Sequence, residues 1–186
     1  MHNSLNSLTS IQSEINSEKV NIIAVSKTFP ISNILPLINA NHIHFGENKV
    51  QEALEKWTEI KKDLPNIKLH LIGNLQTNKV KFALPLFDYI HSLDSLKLAK
   101  KISDEQIKKN FRPKIFIQIN IGNENQKSGL DQKELPEFYN KVKNNFDLDI
   151  IGLMCIPPNV EDTSPFFVKM KSLSHELNLK DLSMGM

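Results

Sequence analysis

The sequence predicts a (β/α)8 barrel, and three observations carry that expectation. Short apolar runs alternate with stretches of helical periodicity along the 186-residue chain. The runs are apolar nearly end to end, as strands covered on both faces are, and their alternation with helices implies parallel strands joined by right-handed crossovers. Polar punctuation falls repeatedly just after those runs, as SKT, GEN, GNLQTN, HSLDS, NIGNENQKSG and CIPPN. A barrel opens every such loop on one face, whereas a doubly wound sheet concentrates its site at a single switch point.

Taken in order, the apolar runs place strands at residues 21–27, 42–48, 68–74, 89–95, 114–122, 149–157 and 181–186. Apolar side chains three and four apart place helices at 50–62 (Val50, Ala53, Leu54, Trp57), 78–86, 96–109 (Ala99, Ile102), 132–145 (Leu135, Phe138, Val142) and 164–177 (Phe166, Met170, Leu173). Leu5, Leu8, Ile11 and Ile15 share one helical face, so an amphipathic leading helix is expected to pack under the barrel. Seven strands are one short of a closed eight-stranded barrel. No linker or composition shift divides residues 1–186, and one domain is the expectation at this length.

Composition excludes several classes. With 23 basic and 21 acidic side chains the net charge is +2, too small for a broad electrostatic footprint toward nucleic acid or an anionic membrane. Apolar residues at 40% and charged residues at 24% are ordinary for a soluble globular protein. No apolar run reaches the length of a signal peptide or membrane span. Cys155 is the only cysteine, which leaves no internal disulfide and fits a reducing, cytoplasmic compartment.

The candidate chemistry begins at NIIAVSKTFP, where Lys27 closes an apolar strand. A lysine kept from full hydration at a strand end is a nucleophile toward aldehydes, and pyridoxal phosphate is held by Schiff bases of that kind. The competing reading is that Lys27 has already left the strand and reaches into solvent. In FGENKVQEALEK, Asn48 stands at a strand end, either capping the next helix or hydrogen-bonding toward a ligand over the barrel mouth. GNLQTNK offers a helix N-terminus with free amides, without the glycine pattern of a P-loop or a dinucleotide fingerprint. His70 and His91 lie inside strand runs and read as neutral, hydrogen-bonded core histidines. No HExxH or carboxylate-rich loop accompanies them, and no metal is expected. Cys155, between Met154 and Ile156, reads as a small buried residue.

Together the ordered segments AVSKTFP, HFGENKVQEALEK, LHLIGNLQTNKVK, HSLDSLKLAKKI, IQINIGNENQKSGL, IIGLMCIPP and LSMGM closely resemble the pyridoxal phosphate homeostasis family, from about Asn21 onward. The resemblance implies a barrel similar to the N-terminal domain of alanine racemase. It implies pyridoxal 5'-phosphate as cofactor, with Lys27 as the Schiff-base lysine and Asn48 in the cofactor pocket. By the same resemblance Met154 lies near the pyridine ring, and Ser183 leads into the phosphate-binding loop. Family members continue past LSMGM with a further helix and a last strand, so the resemblance implies a barrel incomplete at its C-terminal end. The implied role is intracellular vitamin B6 homeostasis without a defined catalytic reaction, with pyridoxal phosphate-dependent client enzymes as partners and a monomer or weak dimer as the assembly.

A racemase is the alternative, but its second base comes from a separate β-domain that 186 residues do not accommodate, and Tyr89 and Tyr139 are the only tyrosines. An aldol-type Schiff-base barrel would also use a strand-end lysine; the FGEN and KSG segments favour the cofactor-binding family.

Overall fold

A computed structural model describes residues 3–15 and 19–185. Seven parallel strands form one sheet, each beside the strand before it in sequence: β1 (Ala24–Val25), β2 (His44–Glu47), β3 (Lys68–Leu71), β4 (Tyr89–Leu93), β5 (Lys114–Ile119), β6 (Asp149–Cys155) and β7 (Asp181–Ser183). Helices α1 (Asn3–Ile15), α2 (Ile31–Asn39), α3 (Val50–Asp63), α4 (Val80–Ala83), α5 (Leu96–Lys109), α6 (Leu135–Asn145) and α7 (Ser164–Glu176) complete the order. A doubly wound sheet reverses its strand order at a switch point; the consecutive order here is that of a (β/α) barrel. Among the described residues no pairing joins β7 to β1, so the barrel sheet is open along that seam. The last position of the expected strand 181–186, Met186, lies outside the described residues.

The core lies between the strands and the helices around them. Phe45, Leu69, Ile90, Ile115 and Ile117 of the central strands are fully buried and meet helix residues such as Trp57. Each such side chain contributes on the order of 1.5–3 kcal/mol over its exposed state. The Phe45 and Trp57 rings pack at 4.9 Å between centroids, fastening α3 to β2.

Four elements differ from expectation. The first strand is two residues long because β1 is paired on one side only, against β2. Residues 78–86 give a 3-10 turn at Thr77–Lys79 and then only Val80–Ala83, because Pro85 supplies no N–H to continue the helix. Helix α6 begins three residues later than its apolar spacing suggests: the Asp131 carboxylate accepts from the Lys133 N–H at 2.8 Å, making a turn, and Pro136 falls in the first helical turn where it is tolerated. Helix α2 has no counterpart among the expected segments, since Pro36 inside it reads as a breaker; it forms nonetheless, burying Ile34 and Leu37.

Helix α1 forms where expected, and Leu5 and Leu8 pack on the core. Ile11 and Ile15 instead help line the cavity inside the barrel.

Candidate functional site

A cavity of about 910 Å³ runs through the barrel interior and opens along the β7–β1 seam. That volume falls in the range of roughly 300–1,000 Å³ typical of small-molecule sites. Lys27, Asn48, Met154 and Ser183 all line it, so the fold brings the four sequence-derived candidates to one space.

Lys27 sits in a turn two residues beyond β1, half-buried, so it has left the strand yet faces the cavity. Its backbone is clamped on both sides. Before it, the Ser26 N–H donates to the Gly46 carbonyl at 2.9 Å and the Ser26 hydroxyl donates to Glu47 Oε1 at 2.8 Å. Glu47 is wholly buried, and the same oxygen also accepts from Lys56 Nζ and Trp57 Nε1, each at 2.9 Å. Lys56 Nζ reaches the Ser26 carbonyl as well, at 2.8 Å. After Lys27, Thr28 takes φ +64°, a left-handed conformation uncommon for a β-branched residue. Its N–H donates to Glu52 Oε1 at 2.5 Å, and that bond, with Lys56 nearby, holds the Glu52 carboxyl below its ordinary range. Strain of this kind concentrates where a functional backbone is over-determined by its surroundings.

Asn48 follows β2 and does not cap α3: the N-cap position is Lys49, which makes no side-chain cap bond. Gly73 passes directly against the Asn48 backbone, where an added Cβ would collide with the Asn48 carbonyl. That close approach of the β2 and β3 loops gives the glycine of GNLQTN a packing role. The amide-rich helix start expected there is a 3-10 turn and a four-residue helix.

On the opposite wall Met154 stands in register between Gln118 of β5 and Ser183 of β7, and all three line the cavity. The Met154 thioether offers a soft apolar surface of the kind that packs against a ring. Cys155 is buried, as expected, and burial pushes its thiol up to about 11, which removes it as a nucleophile near neutrality.

The NIGNENQKSG segment folds over the same mouth. The Asn120 side-chain amide donates to the Glu124 carbonyl at 2.9 Å while its oxygen accepts from the Glu124 N–H at 3.1 Å. The loop returns to pair Leu130 with Ile119, and Asp94, after β4, accepts from the Gly129 N–H. Lys127 thereby also lines the cavity, fixed by the Pro157 carbonyl at 2.8 Å and by Glu124 at 2.5 Å. Sequence spacing did not single out Lys127 or Asn120; the signals were the polar cluster after a strand and, for Lys127, the KSG segment.

Three imidazoles cross the barrel interior. His44 Nδ1 lies 3.0 Å from His70 Nε2, His70 Nδ1 lies 2.9 Å from His91 Nε2, and His91 Nδ1 lies 2.8 Å from Ser183 Oγ. Burial, with the neighbouring rings, pushes His70 down to about 2, and burial pushes His91 down to about 3, so both are neutral near pH 7. Among the described residues no group of three or more His, Cys, Asp or Glu could hold a metal ion. No helix of the described residues is long and apolar enough to cross a membrane.

This geometry has counterparts among known proteins. The alanine racemase N-terminal domain family matches residues 5–178. The pyridoxal phosphate homeostasis protein of Aquifex aeolicus is 38% identical over 174 residues, covering 89% of this chain and 75% of the relative. That of Haemophilus influenzae is 35% identical over 181 residues, covering 92% and 76%. The chain belongs to the pyridoxal phosphate homeostasis family.

Solved structures agree on the architecture of this family member. PipY of Synechococcus elongatus, in a structure with pyridoxal phosphate bound, superposes with a TM-score of 0.88 at 34% identity, covering 96% of this chain and 87% of PipY. An alanine racemase from Clostridium difficile superposes with a TM-score of 0.75 at 12% identity, covering 96% of this chain and 49% of the racemase, which shows the shared barrel fold alone.

Proposed function

We propose that this chain binds pyridoxal 5'-phosphate at the mouth of the barrel and takes part in intracellular homeostasis of that cofactor. The observation that carries the reading is the convergence of Lys27, Asn48, Met154 and Ser183 on one cavity, in a chain similar over 96% of its length to a protein solved with the cofactor bound.

The donor set fits the group: a primary amine, a thioether wall, an amide and a hydroxyl face a cavity of sufficient volume. When bound, the cofactor would supply an aldehyde, and Lys27 would be the primary amine that holds it. Met154 would pack against the ring, and Asn48 and Ser183 would offer it hydrogen-bonding groups from the cavity wall. The Ser26–Glu47–Lys56–Trp57 cluster holds the Lys27 backbone at the mouth, and the 120–130 loop narrows access to water.

The role is binding and delivery to client enzymes rather than turnover. Tyr139 lies on α6 and does not line the cavity, whereas Tyr89 lines it from the start of β4, its ring stacked on His70 at 4.2 Å. Tyr89 starts β4 while Lys27 lies beyond the end of β1, and in this parallel sheet those are opposite ends, which favours binding over two-base turnover.

The test is an absorption spectrum of the protein mixed with pyridoxal phosphate, followed by borohydride reduction and peptide mass mapping. A yellow band and a pyridoxyl adduct on Lys27, both lost in Lys27→Ala, are expected. An adduct distributed over surface lysines and unchanged in Lys27→Ala would overturn the assignment.

A further inference from the structure

The imidazole series His44–His70–His91 links one end of the barrel to the cavity. Its geometry leaves each ring little freedom. The face of His70 stacks on Tyr89 at 4.2 Å with 9° between planes, and His91 stacks on Phe116 at 4.4 Å with 24° between planes. With one face of each of these rings stacked, their ring nitrogens meet partners along the series at 2.8–3.0 Å from atom to atom. His70 and His91 are 4% and 1% exposed, so water does not compete for those nitrogens, whereas His44 is half-buried.

A neutral imidazole carries one N–H and one lone pair. Each contact between rings joins two ring nitrogens, and such a contact forms only when one donates and the other accepts. The choice at one end is therefore repeated at every ring. If His91 Nδ1–H donates to Ser183 Oγ, then His70 and His44 also carry their protons on Nδ1, and the Ser183 hydroxyl is free to donate into the cavity. If Ser183 donates to His91 Nδ1, all three rings carry the proton on Nε2, and Ser183 offers the cavity lone pairs only. Burial disfavours the doubly protonated ring that would break this rule.

We infer that His44, His70 and His91 are positioning residues that fix the hydrogen-bonding sense of the Ser183 hydroxyl, so that an acceptor-only group at Ser183 sets one shared tautomer in all three rings. Phosphate oxygens are acceptors of this kind. That the natural occupant is a phosphate-bearing cofactor rests on the function proposed above; the coupling along the series does not. Its consequence is directional: occupancy at the cavity determines whether the half-buried His44 presents an N–H or a lone pair at Nε2, two rings away.

Histidine-selective 15N labelling of the full chain, with long-range proton–nitrogen correlation, reads which nitrogen of each ring carries the proton. Two ligand-free variants set the end of the series. Ser183→Asp supplies an acceptor-only carboxylate and is expected to place all three protons on Nδ1. Ser183→Ala leaves His91 Nδ1 facing no acceptor and is expected to place all three on Nε2. Thermal melts establish that both are folded. His44 in the same tautomer in both folded variants, or rings of mixed tautomer in either, overturns the inference. Wild type with pyridoxal phosphate is then expected to match Ser183→Asp. Should the two variants differ as stated while wild type with the cofactor carries its protons on Nε2, the series stands and the cofactor reading falls.

Discussion

The two edges of the open sheet hold their cavity-lining residues by different means. At the β1 edge, Lys27 lies beyond a two-residue strand and is fixed through a buried charged cluster, in which one oxygen of Glu47 accepts from Ser26, Lys56 and Trp57. At the β7 edge, Ser183 ends a three-residue strand and is fixed through neutral imidazoles, the last of which meets its hydroxyl at 2.8 Å. The central strands β2 to β6 are paired on both sides and bury their site-bearing ends by ladder and packing. Where the ladder is one-sided, polar side chains reaching from neighbouring strands and helices take over the positioning. The two fastenings respond to different perturbations, because one depends on charge and the other on the absence of charge.

The largest expected effect separates them by pH. His70 and His91 titrate at about 2 and about 3 in the folded chain against an unfolded value near 6.5. The folded-state values are depressed, so below pH 6.5 the unfolded state binds more protons. The stability contributed by these neutral rings is complete above that pH and is lost as pH falls toward 3, at about 1.4 kcal/mol per pH unit for each ring. Urea unfolding at pH 7.5 and 5 should therefore show a loss of about 2 kcal/mol for each of these two imidazoles, and His91→Asn should shrink the difference by about the share of one ring. An unchanged difference in that variant would place the acid sensitivity elsewhere.

At the β1 edge, Lys56→Met removes the cation from the wholly buried Glu47 and leaves the Ser26 carbonyl without its ammonium donor. Stripping one partner from a buried ion pair costs about 3–5 kcal/mol, measured by urea unfolding at pH 7. The double change Glu47→Gln with Lys56→Met should recover much of that loss, since the uncompensated charge is gone. A double variant no more stable than the single one would mean that packing, not charge, fastens this edge.

The contrast also explains what could be read from the sequence. Central strands are covered on both faces and so appear as apolar runs; five of the seven were bounded closely at their starts. The alternation gave the barrel order, and Lys27, Asn48, Met154 and Ser183 do share one cavity. Helix α2 was hidden by Pro36, whose cost tertiary burial of Ile34 and Leu37 offsets. The Glu47 cluster joins residues up to 31 positions apart in sequence through one carboxylate oxygen, and the imidazole series joins four strands; no local periodicity reports either. His70 and His91 were legible as neutral core histidines, but not as members of one connected series.

A smaller effect is expected where the β2 and β3 loops touch. In Gly73→Ala the new methyl meets the Asn48 backbone rather than a movable side chain, so the two loops must separate. Overpacking of this sort costs about 1–3 kcal/mol. It should also weaken ligand binding at the Asn48 end of the cavity, read as a raised Kd in a pyridoxal phosphate titration.

The smallest expected change is a gain. Thr28 holds φ +64° beside Lys27, and a left-handed conformation costs an L-residue roughly 1–2 kcal/mol. Thr28→Gly relieves that cost, while the greater freedom of glycine in the unfolded chain takes back roughly 0.5–1 kcal/mol. The bond from the residue 28 N–H to Glu52 survives the change, since it is made by the backbone. Stability should rise by up to about 1 kcal/mol, read as a higher urea midpoint with the slope unchanged. If the strain serves to keep the Lys27 turn in one conformation, the same variant should react with pyridoxal phosphate more slowly even though it is more stable. A variant that gains stability and reacts as fast as wild type would show that the Ser26–Glu47–Lys56 side of the clamp suffices to place Lys27.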